Sequence, residues 1–176
     1  MRYYSKKELV QKIKEVALLK GDFVLRSGKR SEYYLDKYLF EGYPGILRSV
    51  AHHMARLVPE DVTRLAGVEL GGIPVTVALS LEMDIPCIFV RKSAKGHGTD
   101  KIIEGVYEPG DRVLLIEDVV TTGGQAVTMV NKLRNEFNLK VIGVLAVLDR
   151  QEGSETAFSE AGIPFTALFT RKELGF

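Results

Sequence analysis

The sequence predicts an α/β domain, with a parallel sheet that helices cover on both faces. From residue 64 onward, short apolar runs of strand length alternate with segments whose apolar residues recur at helical spacing, the pattern of strand–helix–strand units. Several runs, such as 141–148, are apolar throughout, which is typical of strands buried on both faces. The 176 residues contain no internal repeat and no linker-like segment, so we expect a single domain over 1–176.

The N-terminal part predicts a small helix and a hairpin in front of the sheet. Ser5 and Glu8 form a capping-box sequence that starts a helix, and Gly21 supplies a stop signal. Tyrosine-rich and apolar stretches on either side of a glycine-containing turn predict a β-hairpin. The elements predicted there are a helix over roughly 6–19, strands over 23–28 and 33–36, and a second amphipathic helix over 46–58.

The rest of the chain predicts the sheet and its covering helices. The elements are strand 64–68, helix 73–81, strand 86–91, strand 112–116, helix 124–137, strand 141–148, helix 155–161 and strand 165–169. Residues 93–104 are polar and contain glycine, so we expect them to stay outside the core. Residues 171–176 form a polar end with no predicted role.

Composition excludes several classes of protein. With 24 basic and 23 acidic residues, the net charge of +1 gives no overall attraction to nucleic acid or to a membrane surface. The single cysteine, Cys87, lies in an apolar run and is interpreted as a buried strand thiol, not as a disulfide partner or a nucleophile. Because no apolar run reaches 18 residues and the N-terminus lacks a signal-peptide core, we expect a cytoplasmic protein without a membrane span.

The segment 113–125 carries the clearest functional pattern. An apolar run leads into two adjacent carboxylates, Glu117 and Asp118, and a hydroxyl- and glycine-rich loop, 121–124, precedes the predicted helix. Carboxylates accept hydrogen bonds from vicinal sugar hydroxyls, and a glycine loop at a helix N-terminus favours a phosphate group. The pattern therefore indicates a site for a phosphorylated sugar, although an ordinary strand-to-helix turn would also use threonine and glycine.

A second pattern is the basic run that follows the predicted strand 86–91. Arg91, Lys92 and Lys95 are permanent cations and His97 is titratable, all within seven residues. Such a run is often just a solvated loop. Here it follows directly from an apolar strand in a charge-balanced chain, so it also suits a lid whose cations stabilise the charge that develops on a leaving group.

Five segments, in order along the chain, resemble the orotate phosphoribosyltransferases, a family of type I phosphoribosyltransferases. The acidic pair with Thr-Thr-Gly is similar to the family's signature for phosphoribosyl pyrophosphate, and R-K-x-x-K-x-H-G at 91–98 is similar to its loop motif. F-x-L-x-S-G-x-x-S-x-Y-Y-x-D at 23–36 resembles the hairpin of the orotate pocket. G-x-E-L-G-G-I-P at 67–74 resembles the pyrophosphate-binding loop, and D-R-Q-E-G at 149–153 the segment whose arginine contacts orotate.

The resemblance implies the type I phosphoribosyltransferase fold, with an N-terminal helix and hairpin hood and a mobile catalytic loop. It implies contacts to phosphoribosyl pyrophosphate from Arg26, Gly71, Gly72, Arg91, Lys92, Lys95, His97, Glu117, Asp118, Val119, Val120, Thr121, Thr122, Gly123, Gly124 and Gln125. It implies contacts to orotate from Tyr34, Leu35, Thr121 and Arg150. The implied catalytic residues are Lys95, His97 and Asp118, with Lys95 as the main catalytic cation.

The resemblance also implies a cofactor and an assembly. Mg²⁺ is expected to be held mainly by substrate oxygens, with no direct protein ligand and with Asp118 contacting it through water. A homodimer is implied in which the loop 93–104 enters the neighbouring subunit's site, with no nucleic-acid or membrane partner. The implied reaction transfers ribose 5-phosphate from phosphoribosyl pyrophosphate to orotate in pyrimidine biosynthesis.

Three residues depart from the family's pattern. Arg26 stands where many members have lysine, and Thr99 where an acid is frequent. Gly71 occupies a position where some members carry lysine, so only its backbone can contact a ligand. Two rival interpretations stay open: transfer to another base, and a regulator that binds phosphoribosyl pyrophosphate without catalysis. Glu69 is predicted to orient the loop 67–72 rather than to act as an acid catalyst.

Overall fold

The computed structural model describes residues 2–24, 28, 30–92 and 101–175. The helices are α1 (Lys6–Ala17), α2 (Lys37–Glu41), α3 (Pro44–Ala55), α4 (Gly72–Met83), α5 (Gly124–Phe137), α6 (Ser154–Glu160) and α7 (Arg171–Leu174). The strands are β1 (Leu18–Val24), β2 (Arg30–Leu35), β3 (Arg64–Val68), β4 (Cys87–Val90), β5 (Ile103–Glu104), β6 (Arg112–Val120), β7 (Lys140–Asp149) and β8 (Phe165–Thr170).

The main sheet has six strands in the order β5-β4-β3-β6-β7-β8. All neighbouring pairs are parallel except β4 and β5, where Phe89 pairs with Glu104 in antiparallel register. The predicted parallel sheet is therefore confirmed, with one short antiparallel strand added at its edge. Among the described helices, none is long and apolar enough to cross a lipid bilayer.

Helices cover both faces of this sheet, as predicted. Along β6, Leu114 and Ile116 belong to a core cluster with residues of α1, α3 and α4, whereas Val113 and Leu115 belong to a second cluster with α5 and α6. Successive residues of a strand point to opposite faces, so one apolar run serves both clusters. We call these the first face (α1, α3 and α4) and the second face (α5 and α6).

The N-terminal hairpin forms a separate two-stranded antiparallel sheet. The first helix ends at Ala17, so its predicted extension to residue 19 is wrong. Leu18 and Leu19 instead pair with Leu35 and Tyr34 on the opposite strand. Their apolar side chains continue the helical spacing, but the backbone hydrogen bonds of the hairpin fix them as strand residues.

Three further predictions need correction. Ile102 and Ile103 are buried in the second-face core, so the segment 93–104 does not lie wholly outside the core. The polar end forms a short helix, α7, because Thr170 and Glu173 make a capping box and Leu174 is buried. Cys87 is only partly buried. The helix α2 was not predicted, and it contributes to the site described next.

Candidate active site

Three functional segments meet at one edge of the sheet. The strands β3, β6 and β7 are adjacent and parallel, so their carboxyl ends lie together, which is where open α/β sheets bind ligands. Gly71 and Gly72 follow β3, the acidic pair lies near the end of β6, and Arg150 follows β7. The backbone N–H of Arg150 donates to the carbonyl of Val120 at 2.9 Å, which joins the ends of β6 and β7.

The side chains of the two adjacent acids point to opposite faces of the sheet. The strand β6 continues to Val120, not to residue 116 as predicted, so both carboxylates lie within it. Asp118 follows the alternation of Ile116 and is on the first face, with only 2% of the residue exposed. By the same alternation the side chain of Glu117 points to the second face, and Glu117 is half-buried. The two carboxylates therefore lie on two sides of one strand end.

A lysine and a second buried acid surround Asp118. Lys37 Nζ lies 2.6 Å from Asp118 Oδ2, and Glu41 is one helical turn further along α2. Burial lowers the pKa of Lys37, but the neighbouring Asp118 carboxylate outweighs it and the pKa is raised above its ordinary value. Burial and the Asp118 charge raise the pKa of Glu41 to about 8. Glu41 is therefore largely protonated at neutral pH.

Glu117 is also poised to titrate near neutral pH. Burial and the adjacent Asp118 charge raise its pKa to about 7, against the opposing effect of Lys92 and Lys37. A cation or hydroxyl donor placed against this carboxylate would favour its charged form. A ligand that placed such a group there would therefore displace a proton from Glu117.

The turn after β3 approaches the acids closely. An ideal Cβ on Gly71 would lie 1.5 Å from Asp118 Oδ2, and one on Gly72 would lie 2.6 Å from the carbonyl oxygen of Ile116. Only glycine fits at either position without moving its neighbours. The helix α4 begins at Gly72, and no side chain caps it, so its first N–H groups point toward the same edge.

The loop after β6 has the geometry expected of a phosphate cradle. Gly123 has φ 83°, in the left-handed region, and α5 begins at Gly124 without a side-chain cap. Thr121 is half-buried, whereas Thr122 and Gln125 are exposed. These residues surround the N-terminus of α5, where backbone N–H groups favour an anion.

The two valines between the acids and this loop have little side chain to offer a ligand. Val120 is buried, and Val119 packs against the first-face core. The N–H of Val119 donates to Oδ1 of the preceding Asp118 at 2.6 Å, and the carbonyl of Val120 accepts from Arg150. Any substrate contact from these valines would come from the backbone.

The start of the basic run is anchored to the loop after β3. Oε1 of Glu69 accepts a hydrogen bond from the backbone N–H of Lys92 at 2.7 Å. Arg91 lies between two acids, with Nη1 3.8 Å from Glu69 Oε2 and Nε 3.3 Å from Glu104 Oε1. The geometry supports the predicted orienting role of Glu69. The remaining predicted residues of the basic run, Lys95 and His97, lie outside the described residues.

The residues predicted to contact orotate lie in three places, on β2, directly after β6 and directly after β7. Tyr34 is exposed on β2 and contacts the ring of Phe23, whereas Leu35 packs partly against the first-face core. Arg150 Nη2 lies 3.0 Å from Glu152 Oε1, and its buried Nε has no hydrogen-bond partner among the described residues. Arg26 lies outside the described residues.

Sequence reasoning missed Lys37 and Glu41. Asp36 caps α2 by accepting a hydrogen bond from the N–H of Tyr38 at 3.1 Å, and this cap is the signal that could have indicated the helix. Nothing in the local sequence connects Lys37 with Asp118, because only the fold brings them together.

Comparison with known proteins agrees with the motifs and the fold. The family model for the phosphoribosyl transferase domain matches residues 43–158. The orotate phosphoribosyltransferase of Methanocella arvoryzae is 41% identical over 168 residues, covering 95% of each chain. That of Pyrococcus abyssi is 40% identical and covers 96% of this chain and 94% of its own.

The chain belongs to the orotate phosphoribosyltransferase family. The crystal structure of the Mycobacterium tuberculosis member in complex with Fe(III) dicitrate superposes with a TM-score of 0.84 at 30% identity, covering 97% of this chain and 99% of that chain. Leishmania donovani UMP synthase matches with a TM-score of 0.85 and 33% identity over 97% of this chain, which spans only 37% of that longer chain. The type I phosphoribosyltransferase fold expected from the sequence is thereby confirmed.

Proposed function

We propose that this chain transfers ribose 5-phosphate from phosphoribosyl pyrophosphate to orotate, giving orotidine 5-phosphate and pyrophosphate, with Mg²⁺ as cofactor. The observation that carries the proposal is the strand-end site, where an acidic pair lies between two glycine turns at helix N-termini. Relatives about 40% identical over nearly the whole chain are named orotate phosphoribosyltransferases, and one structural neighbour was solved with phosphoribosyl pyrophosphate.

The sugar donor is proposed to lie across the ends of β3 and β6. The loop 121–125 would hold the 5-phosphate through N–H groups at the start of α5. Glu117 and Asp118 would accept hydrogen bonds from the ribose hydroxyls from the two faces of β6. Held in this way, the donor presents its C1 atom to the acceptor in a fixed orientation, which converts a bimolecular encounter into a positioned reaction.

Leaving-group stabilisation is proposed to come from cations and backbone N–H groups. The C1–O bond loosens first, so negative charge develops on pyrophosphate as the sugar becomes oxocarbenium-like. Gly71, Gly72, Arg91 and Lys92 would contact it from this subunit. Lys95 and His97 would reach it from the loop 93–104 of a neighbouring subunit, which makes the active form a homodimer. Preorganised cations of this kind lower the barrier because they interact most strongly with the transition state.

The acceptor needs orientation more than activation. Orotate is anionic, and its ring nitrogen can attack C1 without a strong protein base. Arg150, whose Nε is buried and without a described partner, is proposed to pair with the orotate carboxylate. Tyr34, Leu35 and Thr121 would border the ring, so the hairpin would close over the base.

The residues fit a magnesium ion that is held mainly by the substrate. Among the described residues no group of three or more acidic, histidine or cysteine side chains is arranged to hold a metal ion. The Asp118 carboxylate at the strand end suits a contact through water, and Mg²⁺ characteristically keeps several waters beside substrate phosphates. When bound, the ion neutralises charge on the pyrophosphate. We also propose a cytoplasmic location.

The test is orotate absorbance followed over time with phosphoribosyl pyrophosphate and Mg²⁺, with adenine, hypoxanthine and uracil in parallel. Orotate consumption that requires both the donor and Mg²⁺ is the expected result. Turnover of a different base would contradict the roles of Tyr34 and Arg150. Binding of the donor without turnover of any base would instead support the non-catalytic regulator.

A further inference from the structure

A lysine that no sequence motif includes lies inside the acidic site. Lys37 Nζ is 2.6 Å from Asp118 Oδ2, and the side chains of the two residues are 29% and 2% exposed respectively. The carboxylate is thus buried while the lysine side chain reaches toward the surface. An ion pair with a buried carboxylate is screened less by solvent than a surface pair.

The position of Lys37 depends on Gly71. Because a Cβ at position 71 would lie 1.5 Å from Asp118 Oδ2, the absence of a side chain there leaves room for this carboxylate and its lysine. The ammonium therefore lies beside the turn 71–72, where we place the pyrophosphate. Gly71 has no side chain that could carry a positive charge beside this turn. Lys37 places one there from α2.

The surroundings leave Lys37 able to bind a further anion. An ammonium group has three N–H donors, and Asp118 Oδ2, although 2.6 Å from Nζ in the ion pair, has no hydrogen-bond partner among the described residues. Nζ also lies 5.3 Å from the centroid of the Tyr38 ring. Glu41 Oε1 has no hydrogen-bond partner among the described residues, so this oxygen does not hold the ammonium by a hydrogen bond.

We propose that Lys37 is a further substrate-binding residue of this site. Its ammonium, paired with Asp118 in this structure, binds a diphosphate oxygen of phosphoribosyl pyrophosphate or of the pyrophosphate product. Lysine suits this role because it is a compact point charge on a flexible stem. The inference rests on the proposed function, since it assumes that the leaving group binds at the turn 71–72.

Binding of magnesium pyrophosphate, measured by isothermal titration calorimetry, tests the inference. Lys37→Met should weaken binding about 10- to 100-fold, the effect of losing one hydrogen bond to a charged group. Lys37→Arg should keep part of the affinity because it keeps the charge. Lys132→Met is the matched control: its lysine also faces a carboxylate, with Nζ 3.9 Å from Glu136 Oε2 on α5, and its affinity should be unchanged.

A double-mutant cycle with Asp118→Asn tests whether Lys37 contacts the pyrophosphate itself or only holds the Asp118 side chain in place. If Lys37 contacts the diphosphate, Lys37→Met weakens pyrophosphate binding in the Asp118→Asn background as well. If Lys37→Met has no effect in that background, Lys37 acts only by holding Asp118 and the inference is wrong. If Lys37→Met does not fold, Lys37→Gln takes its place in the cycle. It is compared with wild type only when the two have equal thermal stability.

Steady-state kinetics provide the second readout. Lys37→Met should raise KM for phosphoribosyl pyrophosphate while leaving KM for orotate unchanged, and the opposite split would overturn the inference. Wild-type protein that binds magnesium pyrophosphate but does not consume orotate would contradict the proposed function and leave the calorimetric test of Lys37 intact. The two failures are therefore distinguishable.

Discussion

Glu69 joins the ends of two adjacent strands by accepting a hydrogen bond from the backbone N–H of Lys92 at 2.7 Å. Glu69 follows β3 and Lys92 follows β4, and the N–H of Glu69 itself donates to the carbonyl of Val90 at 2.9 Å. The residue that precedes the segment with Lys95 and His97 is thus anchored to the end of β3. One side chain connects the proposed pyrophosphate turn to the proposed catalytic loop.

Removing this anchor should reduce turnover. Glu69→Ala takes away the acceptor for the Lys92 N–H, so kcat should fall about 10-fold or more, since a charge-assisted hydrogen bond contributes about 1.5–3 kcal/mol. Glu69→Gln keeps an acceptor oxygen but not the charge, so it should lose less activity than Glu69→Ala. Equal losses in the two variants would show that charge, not the hydrogen bond, is what matters. Glu136→Ala, on the exposed side of α5, serves as the control in the same steady-state assay.

Alanine substitutions at the paired glycines should have different effects. Gly71→Ala places Cβ against the Asp118 carboxylate, a side chain that can rotate away, so substrate affinity should fall more than stability. Gly72→Ala places Cβ 2.6 Å from the backbone carbonyl of Ile116, which cannot move without the sheet, so the melting temperature should fall. Gly42→Ala meets only ordinary contacts at 3.5 Å and 3.6 Å and should be neutral. Calorimetric affinity and thermal unfolding measure both effects.

The buried acid Glu41 predicts an unusual pH dependence of stability. Its pKa is about 8 in the fold and near 4.5 when unfolded, so between these values the folded state binds the extra proton. Glu41 therefore makes its full contribution to the free energy of unfolding below pH 4.5. This contribution is lost as the pH rises to about 8. The decline is roughly 4–5 kcal/mol, at about 1.4 kcal/mol per pKa unit.

Comparison with Glu41→Gln isolates this contribution, because glutamine resembles the protonated acid and does not titrate. Urea unfolding at several pH values should show wild type losing stability relative to the variant as pH rises from 5 to 8. A constant difference across that range would mean that Glu41 is charged in the fold at neutral pH.

Elements that span at least two periods of their own structure could be predicted from the sequence, and helices of about one turn could not. Strand 64–68 and helix 124–137 are predicted with the bounds that the structure has, because a strand repeats every two residues and a helix every 3.6. The helices α2 and α7 have five and four residues, too few for a period. The pair Ile102 and Ile103 was overlooked because the polar residues before it dominate that segment.

The segments of the candidate site could be predicted where each carries a motif of its own, as at 67–74, 113–125 and 149–153. Glu117, Asp118 and the loop 121–125 form one continuous motif, so the chemistry could be inferred before the fold. That Asp118 and Glu117 face opposite sides of the sheet follows from β6 extending to Val120. The contact between Lys37 and Asp118 depends on where α2 packs, which no local pattern encodes.

The proposed sharing of sites between subunits can be tested by mixing inactive variants. Lys95→Ala should lower turnover about 100- to 1,000-fold, as removal of one charge-stabilising group does, with the fold intact. Mixed with Asp118→Asn, it should regain about a quarter of wild-type activity, because half of randomly exchanged dimers are mixed and each has one complete site. If the loop served its own subunit, every mixed dimer would lack a complete site and no activity would return.

Binding of the sugar donor should release a proton from Glu117. The pKa of this residue is about 7, so near pH 7 roughly half a proton is bound there and is displaced when hydroxyls and magnesium stabilise the anion. Affinity for phosphoribosyl pyrophosphate should therefore rise with pH through 7 and level off above it. The number of protons released on binding is measured by calorimetry in buffers of different ionisation enthalpy. Because the donor's own phosphates also titrate, the quantity compared is the difference in proton release between wild type and Glu117→Gln. The variant should release about half a proton less at pH 7, whereas equal release would place Glu117 outside the donor site.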